Sequence, residues 1–135
     1  MSEAYVVPVL ESDRIRAGLA LQLVAASTGI ATETMTGRER LPPVACRARW
    51  LAMYLSHIAF GWPLERVAHA FGVNRATAGS ACRWIEDERD RPVLDAMLER
   101  LEDCVRLVTE AGGLDLDQAL GGRGVAVADR LGGRA

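Results

Sequence analysis

An asparagine, an arginine, an alanine and a threonine follow one another at positions 74–77, at the predicted start of a helix. Arginine can pair with guanine and asparagine with adenine, and the methyl groups of alanine and threonine can contact the methyl group of thymine. Ser80 and Arg83 continue the same predicted outer face, where a hydroxyl and a guanidinium suit phosphate. The predicted readers of base edges in duplex DNA are Asn74, Arg75, Ala76 and Thr77.

The elements that must position these residues are two helices predicted within residues 63–89. Pro63 suits the first turn of a helix, and apolar residues at helical spacing carry that helix to Phe71. Gly72 permits the chain to turn, and Asn74 is a favourable N-cap for a second helix over residues 75–89. The predicted apolar inner face of that helix comprises Ala78, Ala81, Cys82 and Ile85. A short helix, a glycine turn and a longer helix are typical of a helix-turn-helix.

The net charge of the chain is −2, yet its positive charge is concentrated in the middle. Residues 37–83 carry seven arginines and two acidic residues, whereas residues 84–135 carry seven arginines and twelve acidic residues. A local basic patch favours phosphate binding more than the charge of the whole chain does. The predicted contacts with the DNA backbone or the minor groove are Arg38, Arg40, Arg47, Arg49, Ser80 and Arg83.

No constellation of residues in the sequence suits catalysis, a metal or a cofactor. Cys46, Cys82 and Cys104 are far apart, and neither His57 nor His69 stands near one of them at the spacing of zinc ligands. Neither histidine has a nucleophile or a carboxylate pattern around it. We therefore expect a protein that is not an enzyme, with no cofactor and no small-molecule substrate.

The remaining sequence predicts an all-α bundle of about five helices, in a single domain over residues 1–111. Ser12 is the predicted N-cap of the first helix, with Ile15, Leu19, Leu23 and Ala26 on its apolar face. A short turn over 30–35 and a basic loop precede a second long helix over 44–60. No apolar run reaches the ~20 residues of a membrane span, and the N-terminus lacks a secretion signal. We expect a cytoplasmic, nucleoid-associated protein without a membrane partner.

A last helix is predicted over residues 92–109, and a Gly-rich, flexible tail over residues 112–135. The apolar residues of the helix step by four and three positions, which suits either packing onto the domain or pairing with a second copy or another protein. The predicted dimer or partner face comprises Leu94, Leu98, Leu101, Val105 and Val108.

Three runs of residues carry a family resemblance. They are 47–55, 64–72 and 81–86, which read Arg-Ala-Arg-Trp-Leu-Ala-Met-Tyr-Leu, Leu-Glu-Arg-Val-Ala-His-Ala-Phe-Gly and Ala-Cys-Arg-Trp-Ile-Glu. Together with Thr77, these runs resemble the C-terminal helix-turn-helix DNA-binding domain of the bacterial replication initiator DnaA. The resemblance covers residues 23–89, about half of the chain.

The resemblance implies a recognition helix in the major groove, and an arginine of the basic loop 37–41 in the minor groove. Residues 74–77 match the base-reading segment of the family, and Arg38 or Arg40 falls near its minor-groove arginine. Arg47 and Arg49 match arginines at positions where phosphate contact is expected. The turn after Gly72 is one residue shorter than in the family. The chain has no lysine and no phosphate-binding loop, so the initiator's ATPase is missing.

These observations predict a transcriptional regulator that binds specific sequences of double-stranded DNA. RNA polymerase, a second regulatory protein or a second copy of the chain are candidate partners. Two alternatives remain open at this point. One is a regulator that binds a replication origin, and the other is a protein-interaction adaptor that has lost DNA binding.

Overall fold

The computed structural model describes residues 7–37, 40–110 and 113–121, and these residues form seven helices and no strand. The fold is all-α, as the sequence predicted. The helices are α1 (Glu11–Thr28), α2 (Thr32–Thr36), α3 (Pro43–Ala59), α4 (Leu64–Phe71), α5 (Arg75–Glu88), α6 (Pro92–Thr109) and α7 (Leu116–Ala119).

Helix α3 lies at the centre of the bundle, with α1, α5 and α6 packed around it. Its six residues 51–56 are all buried, so the helix faces neighbours on nearly every side. The small side chains of Ala45, Ala48 and Ala52 let those neighbours approach closely. Trp62, which follows α3, is the largest fully buried side chain of the described residues, and its ring contacts Phe60 and the guanidinium of Arg66 in α4. This core fixes the position of the helix-turn-helix.

Helix α1 differs from its prediction in both its start and its buried face. The N-cap position is Leu10, which makes no side-chain cap, so Ser12 lies inside the first turn. Ile15, which was predicted to be buried, is 64% exposed. The buried residues of this helix are instead Asp13, Ala17, Ala20 and Val24. The prediction was wrong because the close contact of α1 with α3 favours small side chains, and because Asp13 is buried by its ion pair with Arg66 of α4.

The turn between α4 and α5 is closed by backbone hydrogen bonds around a glycine. Gly72 has φ of +69°, in the left-handed region that favours glycine. Its N–H donates to the His69 carbonyl, and the N–H of Val73 donates to the Ala68 carbonyl at 3.0 Å. This pair of bonds is a Schellman motif, which satisfies the last carbonyls of α4 and aims the chain into α5.

Helix α6 uses most of its apolar stripe inside the chain. Leu98, Leu101 and Val105 are buried where α6 packs on α3 and α1. Leu94 is half-buried, and Val108 is 65% exposed. Leu98, Leu101 and Val105 are therefore not available as a face for a dimer or another partner, because the domain itself covers them.

The described part of the predicted tail, residues 113–121, contains α7, and all of its residues are exposed. Residues 112 and 122–135 of the predicted flexible tail lie outside the described residues. Among residues 7–37, 40–110 and 113–121, no helix has the length and apolar character needed to cross a bilayer.

Candidate nucleic-acid interface

The outer face of α5 is built as the sequence predicted, with small and polar side chains exposed beside an apolar inner face. Ala78, Ala81, Cys82 and Ile85 are buried against the bundle. Six residues of the outer face are exposed to solvent, namely Asn74, Arg75, Ala76, Thr77, Ser80 and Arg83. The short side chains at 76, 77 and 80 leave the backbone of α5 accessible to a close-fitting surface.

Asn74 is the N-cap of α5. Its Oδ1 accepts a hydrogen bond of 2.7 Å from the backbone N–H of Thr77, which satisfies one of the free donors at the start of the helix. Pairing with adenine through both side-chain atoms requires the same Oδ1 as an acceptor. The capping bond therefore leaves the side-chain NH₂ as the group of Asn74 that is free to donate to a ligand.

Arg75 is held at the surface by Glu65 of α4. The Nε of Arg75 donates to Glu65 Oε1 at 2.7 Å, and the two side chains are 64% and 67% exposed. The pKa of Glu65 lies below its usual range, because its own backbone N–H and the Arg75 guanidinium both stabilise the carboxylate. An exposed ion pair of this kind contributes little to stability, so the guanidinium of Arg75 can exchange it for another acceptor.

Two predicted arginines, Arg40 and Arg47, lie together on the neighbouring surface. Both are exposed, and both line a cleft of about 450 Å³ that is bounded by the start of α3 and by Trp84 of α5. Arg38, the other arginine predicted for the minor groove, lies outside the described residues.

Arg49 has a different setting from Arg47. It is half-buried, and its Nη2 donates to the Phe71 carbonyl at the end of α4, at 2.7 Å. The positive charge thus stabilises the C-terminal end of a helix, where the backbone dipole is negative. Arg49 ties α3 to the turn of the helix-turn-helix, and the guanidinium is directed into the protein.

A second cleft, of about 410 Å³, runs along the start of α5. Asn74, Ala76, Thr77 and Ser80 line it, so the structure brings together three of the four predicted base readers and one of the predicted backbone contacts. Arg75 does not line this cleft, since it turns towards Glu65. Arg83 lines a separate cleft that is formed with the C-terminal half of α3.

The two clefts share one wall, which consists of Trp50 and Trp84. Their rings meet edge to face, with centroids 5.5 Å apart. The sequence analysis did not include either tryptophan in the site. Trp84 follows Thr77 and Ser80 by seven and four positions, which is the spacing of one helical face, so this pattern could have identified it.

The described residues contain no group of three or more histidine, cysteine or acidic side chains that could hold a metal ion. Burial raises the pKa of the Cys82 thiol to about 11, so it is a neutral, apolar part of the core. No protein-family model matches this chain, and no curated protein matches it significantly.

Proposed function

We propose that this chain is a transcriptional regulator that binds specific sequences of double-stranded DNA, with α5 in the major groove and the loop 37–41 directed towards the minor groove. The proposal depends mainly on one observation. Three predicted base readers and two exposed arginines lie on opposite sides of the same tryptophan pair, on one continuous surface. A recognition helix and a basic loop must share a surface in order to contact adjacent grooves of one duplex.

The resemblance to the DNA-binding domain of DnaA supports the same arrangement. The buried inner face of α5 and the glycine turn agree with what a helix-turn-helix requires. RNA polymerase or a second regulatory protein is the partner that such a regulator would recruit or exclude at a promoter.

The geometry suggests a division of roles among the contacts. Arg75 can donate two hydrogen bonds to guanine once it leaves Glu65, and Ala76 and Thr77 present methyl groups to thymine. Asn74 donates through its free NH₂. Arg47 contacts phosphate, which fixes the orientation of the domain without reading sequence.

A binding experiment on two duplexes tests these roles. A preferred site is first selected from a random duplex pool with the wild-type protein, and affinities for that site and for a scrambled duplex are measured by fluorescence anisotropy. Arg75→Ala should weaken binding to the selected site by about 5–150-fold and leave the scrambled duplex nearly unaffected. Arg47→Ala should weaken binding to the two duplexes about equally, and it should reduce the slope of log affinity against log salt by about one.

Arg100→Ala supplies the matched control, because Arg100 is an exposed arginine of α6 that lines a cleft with α1. It should bind both duplexes like the wild type. Equal losses from Arg75→Ala on both duplexes would contradict its role as a base reader. A wild-type protein without salt-dependent affinity for any duplex would contradict the proposed function and favour the adaptor.

The regulatory part of the proposal is tested by mapping occupancy on the genome with crosslinking and sequencing. A regulator should occupy a few promoters, and these peaks should disappear in Arg75→Ala. Peaks confined to the replication origin would contradict regulation of transcription and favour control of initiation.

A further inference from the structure

Trp84 is the largest side chain on the outer face of the recognition helix. It is 37% exposed, whereas its neighbour Ile85 on the inner face is buried. Trp50 of α3 is half-buried beneath it, with the two ring planes at 64°. Trp50 packs against the buried core, whereas Trp84 is outside that core and presents its indole among small and polar residues at the surface.

Trp50 and Trp84 line both clefts and lie between them, and we call this pair the tryptophan ridge. The cleft on one side carries Arg40 and Arg47, and the cleft on the other side carries the base readers at the start of α5. Any ligand that reaches from the base readers to the basic loop must therefore cross the ridge.

The charges around the ridge favour an anionic ligand. The guanidinium of Arg47 lies over the Trp84 ring, 5.7 Å from its centroid. Among the described residues that line the two clefts there is no carboxylate. A ligand here meets the apolar edge of an indole beside a positive charge. A sugar–phosphate strand matches both, because the sugar can pack against the indole and the phosphate can pair with the arginine.

We propose that the tryptophan ridge contacts the sugar–phosphate strand that separates the major groove from the minor groove, and that Trp84 positions Arg47 against a phosphate of that strand. This inference rests on the proposed function. With α5 in the major groove and Arg40 directed to the minor groove, the strand between the grooves must pass over the surface between them. The ridge is that surface.

Deoxyribose packing accounts for the geometry better than stacking on a base. The Arg47 guanidinium already lies over the Trp84 ring, and Trp50 meets the pair edge to face. A base would have to displace one of these neighbours, whereas a sugar can pack against the exposed edge of the indole while Arg47 stays in place. Trp84 is thus a positioning residue that also contributes apolar contact.

Protection of Trp84 from a quencher tests the contact directly. Of the three tryptophans, Trp62 is 1% exposed and Trp50 is half-buried, so acrylamide quenches mainly Trp84. Saturating the wild-type protein with its selected duplex should reduce the quenching constant about two-fold or more, judged by burial of the exposed indole edge. In Trp84→Phe, the same duplex should change the quenching constant little.

A double-mutant cycle tests the positioning role. Trp84→Ala should weaken binding to the selected and the scrambled duplex alike by roughly 10-fold. The double variant Trp84→Ala/Arg47→Ala should bind more tightly than the product of the two separate fold-losses predicts. The reason is that Trp84→Ala already removes the ring that positions Arg47. Because Trp84→Ala loses the ring contact with Trp50, its thermal midpoint should fall, and circular dichroism at the assay temperature shows that the variant is folded when its affinity is measured.

The outcomes distinguish the ridge from the wider proposal. If the wild type binds duplex DNA but Trp84 stays as accessible to acrylamide as in the free protein, the ridge assignment is overturned and the proposed function stands. If a single strand binds more tightly than the duplex and protects Trp84, base stacking replaces the proposed strand contact. If no duplex binds at all, both proposals fail together.

Discussion

Asp13 in the first turn of α1 and Arg66 in α4 form a paired ionic contact across 53 positions of the chain. Arg66 donates from Nη2 to Oδ1 at 2.7 Å and from Nε to Oδ2 at 3.0 Å. The carboxylate is buried, and the guanidinium also lies over the ring of Trp62, 4.8 Å from its centroid. Helix α1 is thereby fixed to α4, the helix that precedes α5, so the N-terminal helix is part of what positions the proposed DNA-binding surface.

The Asp13–Arg66 pair predicts a loss of stability at low pH. The hydrogen bonds from Arg66 lower the pKa of Asp13 below its ordinary value of 3.8, although burial opposes this. Because the folded state has the lower pKa, the stabilisation is complete above the unfolded pKa and is lost as pH falls through the folded pKa. Urea unfolding should show the free energy of unfolding decreasing below about pH 4.

Asp13→Asn should lower the free energy of unfolding at pH 7 by about 1–3 kcal/mol, because it removes the buried carboxylate that accepts two hydrogen bonds from the half-exposed Arg66. The difference from the wild type should shrink as pH falls below 4. Asp117→Asn, on the exposed α7, should change neither the free energy of unfolding at pH 7 nor its dependence on pH. A wild-type advantage over Asp13→Asn that persists undiminished at pH 2 would contradict the assignment.

The contrast between α1 and α5 shows which features of the fold a sequence can predict. In α5, the N-cap Asn74 and the buried inner face follow from local pattern, and the structure confirms both. In α1, the buried residue Asp13 is recognisable only through its partner 53 positions away, so periodicity selected the wrong face. Local signals such as caps and glycine turns act within a few residues, whereas the choice of a buried face depends on the neighbour.

The candidate interface also contains some residues that the sequence identified and some contacts that it could not reveal. Residue chemistry identified the exposed residues of α5 and the exposed Arg40 and Arg47. It could not reveal that Arg49 turns inward to the Phe71 carbonyl, because that contact spans 22 positions. The same limit explains why Glu65 was missed as the neighbour of Arg75.

Arg89, at the end of α5, predicts a second strong effect on stability. It donates to Asp95 at 2.8 Å and lies 3.1 Å from Glu102 of α6. It also donates to the Tyr54 hydroxyl, which in turn donates to Glu86. Burial and the bond to Glu86 raise the pKa of Tyr54 to about 12, so this hydroxyl keeps its proton at neutral pH.

Arg89→Ala should lower the free energy of unfolding by about 2–4 kcal/mol, because the largely buried Glu102 keeps only its longer ion pair of 3.5 Å with Arg106, and Asp95 and Tyr54 lose a donor. Chemical denaturation at pH 7 measures the change. Arg91→Ala is the matched control, since Arg91 is 76% exposed and its ion pair within the described residues is with nearby Glu88. Arg91→Ala should lower the free energy of unfolding by less than about 0.5 kcal/mol. Similar costs for the two substitutions would show that Arg89 does not join α5 to α6.

Gly79 offers a stabilising substitution within α5. A Cβ at Gly79 would lie 3.6 Å from Leu64 Cδ1, an ordinary van der Waals contact that faces α4. Alanine in place of glycine inside a helix raises the free energy of unfolding by about 0.5–1 kcal/mol. Gly79→Ala should therefore raise the thermal midpoint by roughly 2–8 °C and leave the affinity for DNA unchanged.

Two further glycines serve as controls for that substitution. Gly18→Ala, in α1, should stabilise by a similar amount, because a Cβ there meets nothing within 4 Å. Gly72→Ala should instead destabilise by about 1–2 kcal/mol, since its φ of +69° is strained for any residue with a Cβ. A lower thermal midpoint for Gly79→Ala would mean that the added methyl group collides with Leu64 and would contradict this prediction.

The Glu65–Arg75 pair predicts a variant that binds DNA more tightly. Arg75 must release Glu65 before it can contact guanine, and Glu65 itself places a negative charge beside the approaching phosphates. Glu65→Gln removes that charge and weakens the competing bond, so affinity for the selected duplex should rise by about 2–5-fold in low salt, with a smaller gain at high salt. Anisotropy titrations at two salt concentrations measure this, with Glu88→Gln, at the other end of α5, as the matched control. Weaker binding by Glu65→Gln would show instead that Glu65 holds Arg75 in its DNA-binding orientation, and that the pair acts as one unit.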